Sequence, residues 1–333
     1  MKKVFKWLGI LVGIIVLLVI AGIGYLNYAL PDVGEAPELK VELTPERVER
    51  GKYLAHSVTL CMDCHATRDW SQFAGPMVPG TEGVGGERFD RNMGFPGVFY
   101  SKNITPHGIG NWTDGELYRV ITTGVRNDGE PIFPVMPYHY YGRMADEDIY
   151  SIIAYLRTLP STPSSIPERE VDFPFTLIMR LIPQKGEPTV MPEPTDTKAY
   201  GQYLTNAAAC RECHTPAKDG QVIPELEYGG GRTFELPGGT LTTPNLTPHA
   251  TGLGYWSKEQ FIAKFKGYQD STYQSPKIDF MHEYNSIMPW MMYSTMTERD
   301  LAAIYEYLKT VKPIDNETVK WKPRAQGAEV AKH

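Results

Sequence analysis

Cys61-Met-Asp-Cys64-His65 and Cys210-Arg-Glu-Cys213-His214 decide how this chain is read, because together they hold all four of its cysteines. Cys-x-x-Cys-His is the attachment signal for a c-type haem. The two thiols add across the porphyrin vinyl groups to give thioethers, and the adjacent imidazole turns to the iron. Three rival chemistries fit less well. A zinc site needs four nitrogen or sulfur ligands around one metal, yet these pairs stand 149 residues apart. A thioredoxin-like Cys-x-x-Cys needs a βαβ setting that the flanking sequence lacks. A disulfide within either pair leaves the paired histidines without a purpose.

Outward from these motifs the chain repeats itself. Gly51-Lys-Tyr-Leu returns as Gly201-Gln-Tyr-Leu, and Asn103-Ile-Thr-Pro-His107 returns as Asn245-Leu-Thr-Pro-His249. Trp112 corresponds to Trp256, Met136-Pro137 to Met288-Pro289, and Ala154-Tyr-Leu-Arg157 to Glu306-Tyr-Leu-Lys309. A period this long means duplication of a domain, since solenoid repeats recur every 20–50 residues or so. Helices are expected at the ends of each copy. Thr44-Pro45-Glu46 reads as an N-cap, an N1 proline and an acidic first turn. Thr297-Glu-Arg-Asp300 reads as a capping box with Asp in place of Glu or Gln. Residues 66–110 hold nine glycines and four prolines and show no sustained period. A stretch that long without elements is uncommon unless it serves a site.

The boundaries follow from composition. Residues 1–31 are expected to be a membrane anchor. Trp7 to Pro31 carries no charge and exceeds the ~20 residues that a bilayer core requires. Lys2, Lys3 and Lys6 lie on one side only, which places that end in the cytoplasm. A tether spans 32–43, the first domain 44–160, a linker 161–194, the second domain 195–312 and a tail 313–333. Residues 160–194 contain eight prolines, so the linker is extended rather than helical. Its apolar run from Phe173 to Ile182 is expected to pack on a domain in preference to touching a membrane surface. A formal charge of −6 leaves no basic footprint for nucleic acid.

Two methionines in each copy compete as sixth ligand. Met144 and Met296 each precede a helix start, where a hydrophobic staple is the natural role. Met136 and Met288 stand in loops before proline and are the expected axial ligands opposite His65 and His214. His107 and His249 recur in both copies as bis-histidine rivals, but each follows a turn where a surface histidine is commoner. Met/His coordination raises the potential of a haem and suits an electron carrier.

Taken with the Gly97-Val-Phe-Tyr-Ser-Lys-Asn-Ile-Thr-Pro106 run, the Gly110-Asn-Trp-Thr-Asp114 turn and Met136-Pro-Tyr before Asp146-Glu-Asp, these features resemble class I cytochrome c modules. They are similar in particular to the cytochrome c subunits of membrane-bound alcohol and sugar dehydrogenases. The resemblance covers about 44–160 and 195–312. It implies an all-α architecture of two tandem class I cytochrome c domains with long haem-wrapping loops behind one transmembrane helix. It implies two covalently bound haem c groups, one on Cys61 and Cys64 with His65 and Met136, the other on Cys210 and Cys213 with His214 and Met288. Asn103, Thr105, Trp112, Asn245, Thr247 and Trp256 are expected around the haems, the polar ones near propionates. Gly51 and Gly201 are expected to let the terminal helices of each domain cross closely. Such subunits usually carry three haem modules, whereas this chain has two motifs.

The expectation is therefore a non-enzymatic, single-pass protein of the inner (cytoplasmic) membrane, with its haem domains on the periplasmic or outer face. It would pass single electrons from a dehydrogenase or quinol-oxidising donor to an oxidase or soluble cytochrome. One alternative is a haem-based oxidoreductase, dihaem peroxidase-like or thiosulfate-oxidising, the latter commonly using a cysteine ligand where no fifth cysteine exists; the other is an electron-accepting subunit of a dehydrogenase complex.

Overall fold

The computed structural model describes residues 2–218, 220–269 and 271–324; the part of the expected tail beyond 324 lies outside the described residues. The first helix, α1 (Lys2–Tyr28), buries none of its residues and is long and apolar enough to cross a membrane. The first repeat copy contributes α2 (Pro45–Tyr53), α3 (Asp114–Thr123) and α4 (Asp146–Thr158). The second contributes α5 (Thr197–Ala207), α6 (Lys258–Lys266) and α7 (Glu298–Leu308).

In each copy the first and last helices cross against one another, α2 on α4 and α5 on α7. Glycine makes the crossing possible. A Cβ on Gly51 would lie 1.8 Å from the Ser151 carbonyl oxygen, and one on Gly201 would lie 1.9 Å from that of Ala303. Around these crossings Leu54, Ile149, Ile152 and Ile153 of one copy and Leu204, Leu301, Ile304 and Leu308 of the other belong to one continuous buried cluster. A cation behind each last helix then pins the turn ahead of the middle one. Arg157 donates to the Ile109 carbonyl at 3.0 Å and pairs with Asp114 at 2.8 Å. Lys309 donates to the Leu253 and Gly254 carbonyls.

The expectation of an all-helical chain needs correction, because small antiparallel sheets accompany the helices. β1 (Arg88–Phe89), β2 (Gly97–Tyr100) and β3 (Glu170–Val171) form one sheet. β4 (Ala217–Lys218) pairs with β5 (Gln221–Val222), and β6 (Thr233–Leu236), β7 (Gly239–Thr242) and β8 (Trp321–Pro323) form another sheet. Strands of two to four residues are too short to show a period-two pattern. In both three-stranded sheets the outer strand comes from beyond the copy's last helix, so backbone pairing ties down the proline-rich segment and the segment before Arg324.

The copies also cap each other's helices. Thr297 accepts from the Asp300 N–H at 3.1 Å, as its sequence suggests. The Asp300 carboxylate, however, does not turn back to close the box. It accepts from the Tyr53 hydroxyl of the other copy at 2.5 Å, and that hydroxyl accepts the Thr297 N–H at 3.1 Å. The same arrangement runs the other way. Tyr203 donates to Asp148 at 2.7 Å and accepts the Ala145 N–H at 3.1 Å. One phenol thus supplies both halves of a cap. Because each copy caps the other, the contact has a two-fold character, and Ser57 with Thr295 at 2.7 Å extends it.

Candidate functional site

Each Cys-x-x-Cys-His motif is a short helical turn entered through a left-handed residue, Leu60 (φ 59°) before Cys61–Cys64 and Ala209 (φ 49°) before Cys210–His214. That reversal swings both cysteines and the histidine away from the axis of the preceding helix. All four thiols are free and partly buried. Burial pushes the Cys210 thiol up to about 12 and Cys213 to about 11, and it raises Cys61 and Cys64 as well. Among the described residues no cluster of three or more His, Cys, Asp or Glu side chains is arranged to hold a metal ion.

Both histidines are oriented identically. His65 Nδ1 lies 2.6 Å from the Lys102 carbonyl oxygen, and His214 Nδ1 lies 2.9 Å from that of Pro244. A carbonyl can only accept, so Nδ1 carries the proton and Nε2 keeps its lone pair for a metal. Burial lowers the pKa of both rings, which favours this neutral form. The glycine-rich loops bring these carbonyls close. A Cβ on Gly85 would meet the Lys102 carbonyl oxygen at 2.6 Å, and one on Gly230 would meet the Pro244 carbonyl carbon at 2.5 Å. The sequence showed the glycines but not this use; their recurrence 20 residues after His65 and 16 after His214 was the available signal.

An acidic residue inside each motif is paired with a downstream arginine: Asp63 with Arg68 at 3.0 Å, Glu212 with Arg232 at 2.7 Å. Tyr141 donates to the Thr59 carbonyl and Tyr293 to the Ala208 carbonyl, clamping the chain just ahead of each motif. Burial raises both phenols far above their usual range. Tyr293 lies within electrostatic reach of Cys210, Cys213, Tyr141 and Asp63, so the two motifs border one buried region.

Met136 and Met288 occupy matching positions just ahead of the turns Tyr138–Tyr141 and Trp290–Tyr293, partly buried against the core. Met144 and Met296 are core residues, 0% and 1% exposed. The asparagines and threonines differ from expectation. Asn103 donates to the Thr162 carbonyl at 2.8 Å and to Ser164 at 2.9 Å, while its oxygen accepts from the Thr105 N–H and hydroxyl. Asn245 donates to the Ile314 carbonyl at 2.8 Å and accepts likewise from Thr247. With their polar atoms saturated by protein, these four tie the Asn-x-Thr-Pro turn to the chain leaving the last helix. They are not free to bond propionates. Trp112 is partly buried against the core, and Trp256 is 38% exposed. His107 is exposed, and His249 Nδ1 is engaged with Thr251 at 3.0 Å.

Buried donors without a protein partner remain near the methionines: the Tyr138 hydroxyl, two residues after Met136, and Asn285 Nδ2, three before Met288. With two oriented histidines and four partly buried cysteines, this donor set fits covalent haem c. The cytochrome c family model matches residues 199–312. The cytochrome c subunit of the quinone alcohol dehydrogenase of Gluconobacter oxydans is 28% identical over 80% of this chain and 55% of its own length. The fructose dehydrogenase cytochrome subunit of Gluconobacter japonicus is 29% identical over 79% and 52%. The chain thus spans about half the length of these dehydrogenase subunits. A diheme cytochrome c-type protein of Cereibacter sphaeroides is 31% identical over 70% of this chain and 77% of its own length. Similarity over that much of a relative, in a chain whose two Cys-x-x-Cys-His turns each carry an oriented histidine, makes this protein a member of the c-type cytochrome family.

Proposed function

We propose that this chain is a membrane-tethered dihaem electron carrier built from two tandem cytochrome c domains, over 44–160 and 195–312. The observation that carries the reading is the repeated histidine geometry, with Nδ1 committed to a backbone carbonyl and Nε2 left for iron in both copies. Cys61 and Cys64 would hold one haem, with His65 and Met136 as axial residues; Cys210, Cys213, His214 and Met288 would hold the second. Haem c, when bound, supplies a one-electron ferric–ferrous couple. The protein orients the histidines and excludes water. Its Tyr138 hydroxyl and Asn285 amide offer buried donors to carboxylate groups. With Met136 and Met288 as second ligands, neither iron would offer a site to substrate, which favours electron transfer over peroxidase-like catalysis.

The electron donor would be a dehydrogenase, in keeping with what the relatives are named for, or a quinol-oxidising enzyme; the acceptor would be an oxidase or a soluble cytochrome. Helix α1 would anchor the chain in the cytoplasmic membrane with Lys2, Lys3 and Lys6 inside and the haem domains outside. Pyridine haemochrome analysis against protein mass tests the count: two haems per chain are expected, and one overturns the reading. A ferric spectrum bearing the methionine–iron charge-transfer band at two-haem intensity tests the ligands.

A further inference from the structure

The apolar stretch in the proline-rich segment has two faces. Its inner face is fixed to the first copy. Phe175 packs on Phe133 at 5.6 Å, Met179 is 2% exposed, and Asp172 is clamped by Arg91 at 2.5 Å. Its outer face presents Phe173, Ile178 and Leu181 to solvent, at 82%, 41% and 57% exposure. A rigid turn showing three large apolar side chains outward needs something to cover them.

The position of the turn says what. Arg180 donates to the Leu30 carbonyl at 3.1 Å and pairs with Glu130, and Asn27 shares a cavity wall with Thr176 and Leu177. The turn therefore packs against the outer end of α1. A hydrocarbon core of about 30 Å takes up about 20 helical residues at about 1.5 Å each. Counted from Trp7, it ends near Leu26, so Asn27 to Pro31 lie at headgroup level, where an aromatic residue such as Tyr28 is favoured. Ile178 and Leu181 flank the residues that touch this end of α1, and Phe173 opens the same turn.

We propose that the Phe173–Leu181 turn is a second membrane contact, inserting its outer face into the headgroup–acyl boundary beside α1 and so holding the haem domains at a fixed attitude to the bilayer. This rests on α1 being a retained anchor. Interfacial insertion of this kind needs only apolar side chains reaching about 5–10 Å into the boundary.

The test uses the full haem-loaded chain in phosphatidylcholine–phosphatidylglycerol vesicles, with single introduced cysteines and a charged, membrane-impermeant maleimide; the parent chain sets the background. Leu181→Cys and Phe173→Cys probe the turn. Val190→Cys, 90% exposed on the same segment, is the aqueous reference, and Leu17→Cys reports on the anchor. Labelling at 181 and 173 is expected to be at least tenfold slower than at 190, whatever the protein-to-lipid ratio. Rates equal to that at 190, with Leu17→Cys protected, overturn the proposal and leave the anchor standing. Rapid labelling of Leu17→Cys overturns the anchor and the proposal together. Protection that grows with protein density, or appears only in native membranes, assigns the face to a protein and overturns the lipid assignment.

Discussion

Replacing Tyr53 by Phe should destabilise the protein more than replacing Tyr203 by Phe, although the two residues do the same job. Each hydroxyl donates to the Asp at the third position of the opposite copy's last helix and accepts the N–H of that helix's cap residue. A hydrogen bond to a charged group contributes about 1.5–3 kcal/mol. What remains to the two aspartates differs. Asp148 keeps Arg50, which donates to both carboxylate oxygens at 2.8 Å. Among the described residues Asp300, 1% exposed, keeps only Arg299 at 3.4 Å, an arginine that is itself largely in solvent. Tyr53→Phe should therefore cost about 3 kcal/mol and Tyr203→Phe about 1–2 kcal/mol. Guanidinium denaturation of the solubilised, haem-loaded chain measures both, with far-ultraviolet circular dichroism and Soret absorbance recorded together because a protein with a tightly bound cofactor need not unfold in one step. The double variant should separate into two transitions as the copies uncouple. A loss under about 0.5 kcal/mol for Tyr53→Phe, or the reverse order of the two variants, would refute the reciprocal cap as a source of stability.

Met136→Ala and Met288→Ala should each abolish the methionine–iron band of one haem and lower its potential, whereas Met144→Ala and Met296→Ala should keep the spectrum and cost about 2–5 kcal/mol as core truncations; the opposite pattern in a spectroelectrochemical titration reverses the ligand assignment. Gly201→Ala places a Cβ 1.9 Å from the Ala303 carbonyl oxygen and should cost about 3 kcal/mol or prevent folding, while Gly267→Ala, whose nearest contact is 3.4 Å, should change denaturation midpoints little. Burial works against ionisation of Glu212, yet hydrogen bonds and charge from His139 and Arg232 outweigh it and hold the carboxyl at about 2. Its unfolded value is higher, so the stability it lends is complete above about 4.5 and is lost as pH falls towards 2; Arg232→Ala should flatten that acid limb in urea titrations. Mass analysis of the mature chain should find α1 retained, and a mature terminus near Tyr25 would contradict the anchor.

The Cys-x-x-Cys-His motifs, the duplication and the helix starts were readable in the sequence because each is a local pattern. Thr44 and Thr297 cap their helices through contacts three residues away, at 3.3 and 3.1 Å, and the close helix crossing at Gly51 and Gly201 was implied by the resemblance to cytochrome c modules. The short strands escaped because two to four residues carry no measurable period. The role of Asn103 and Asn245 was misread because saturation of a side chain depends on carbonyls 59 and 69 residues away in the chain. Asp300 illustrates the limit best: its sequence position proposes a capping box, but its partner is a tyrosine 247 residues earlier. Local sequence determined which backbone groups at the helix starts needed partners. Only the docking of one copy on the other decided that a phenol would meet that need, because a long-range contact leaves no periodic trace at either of its ends.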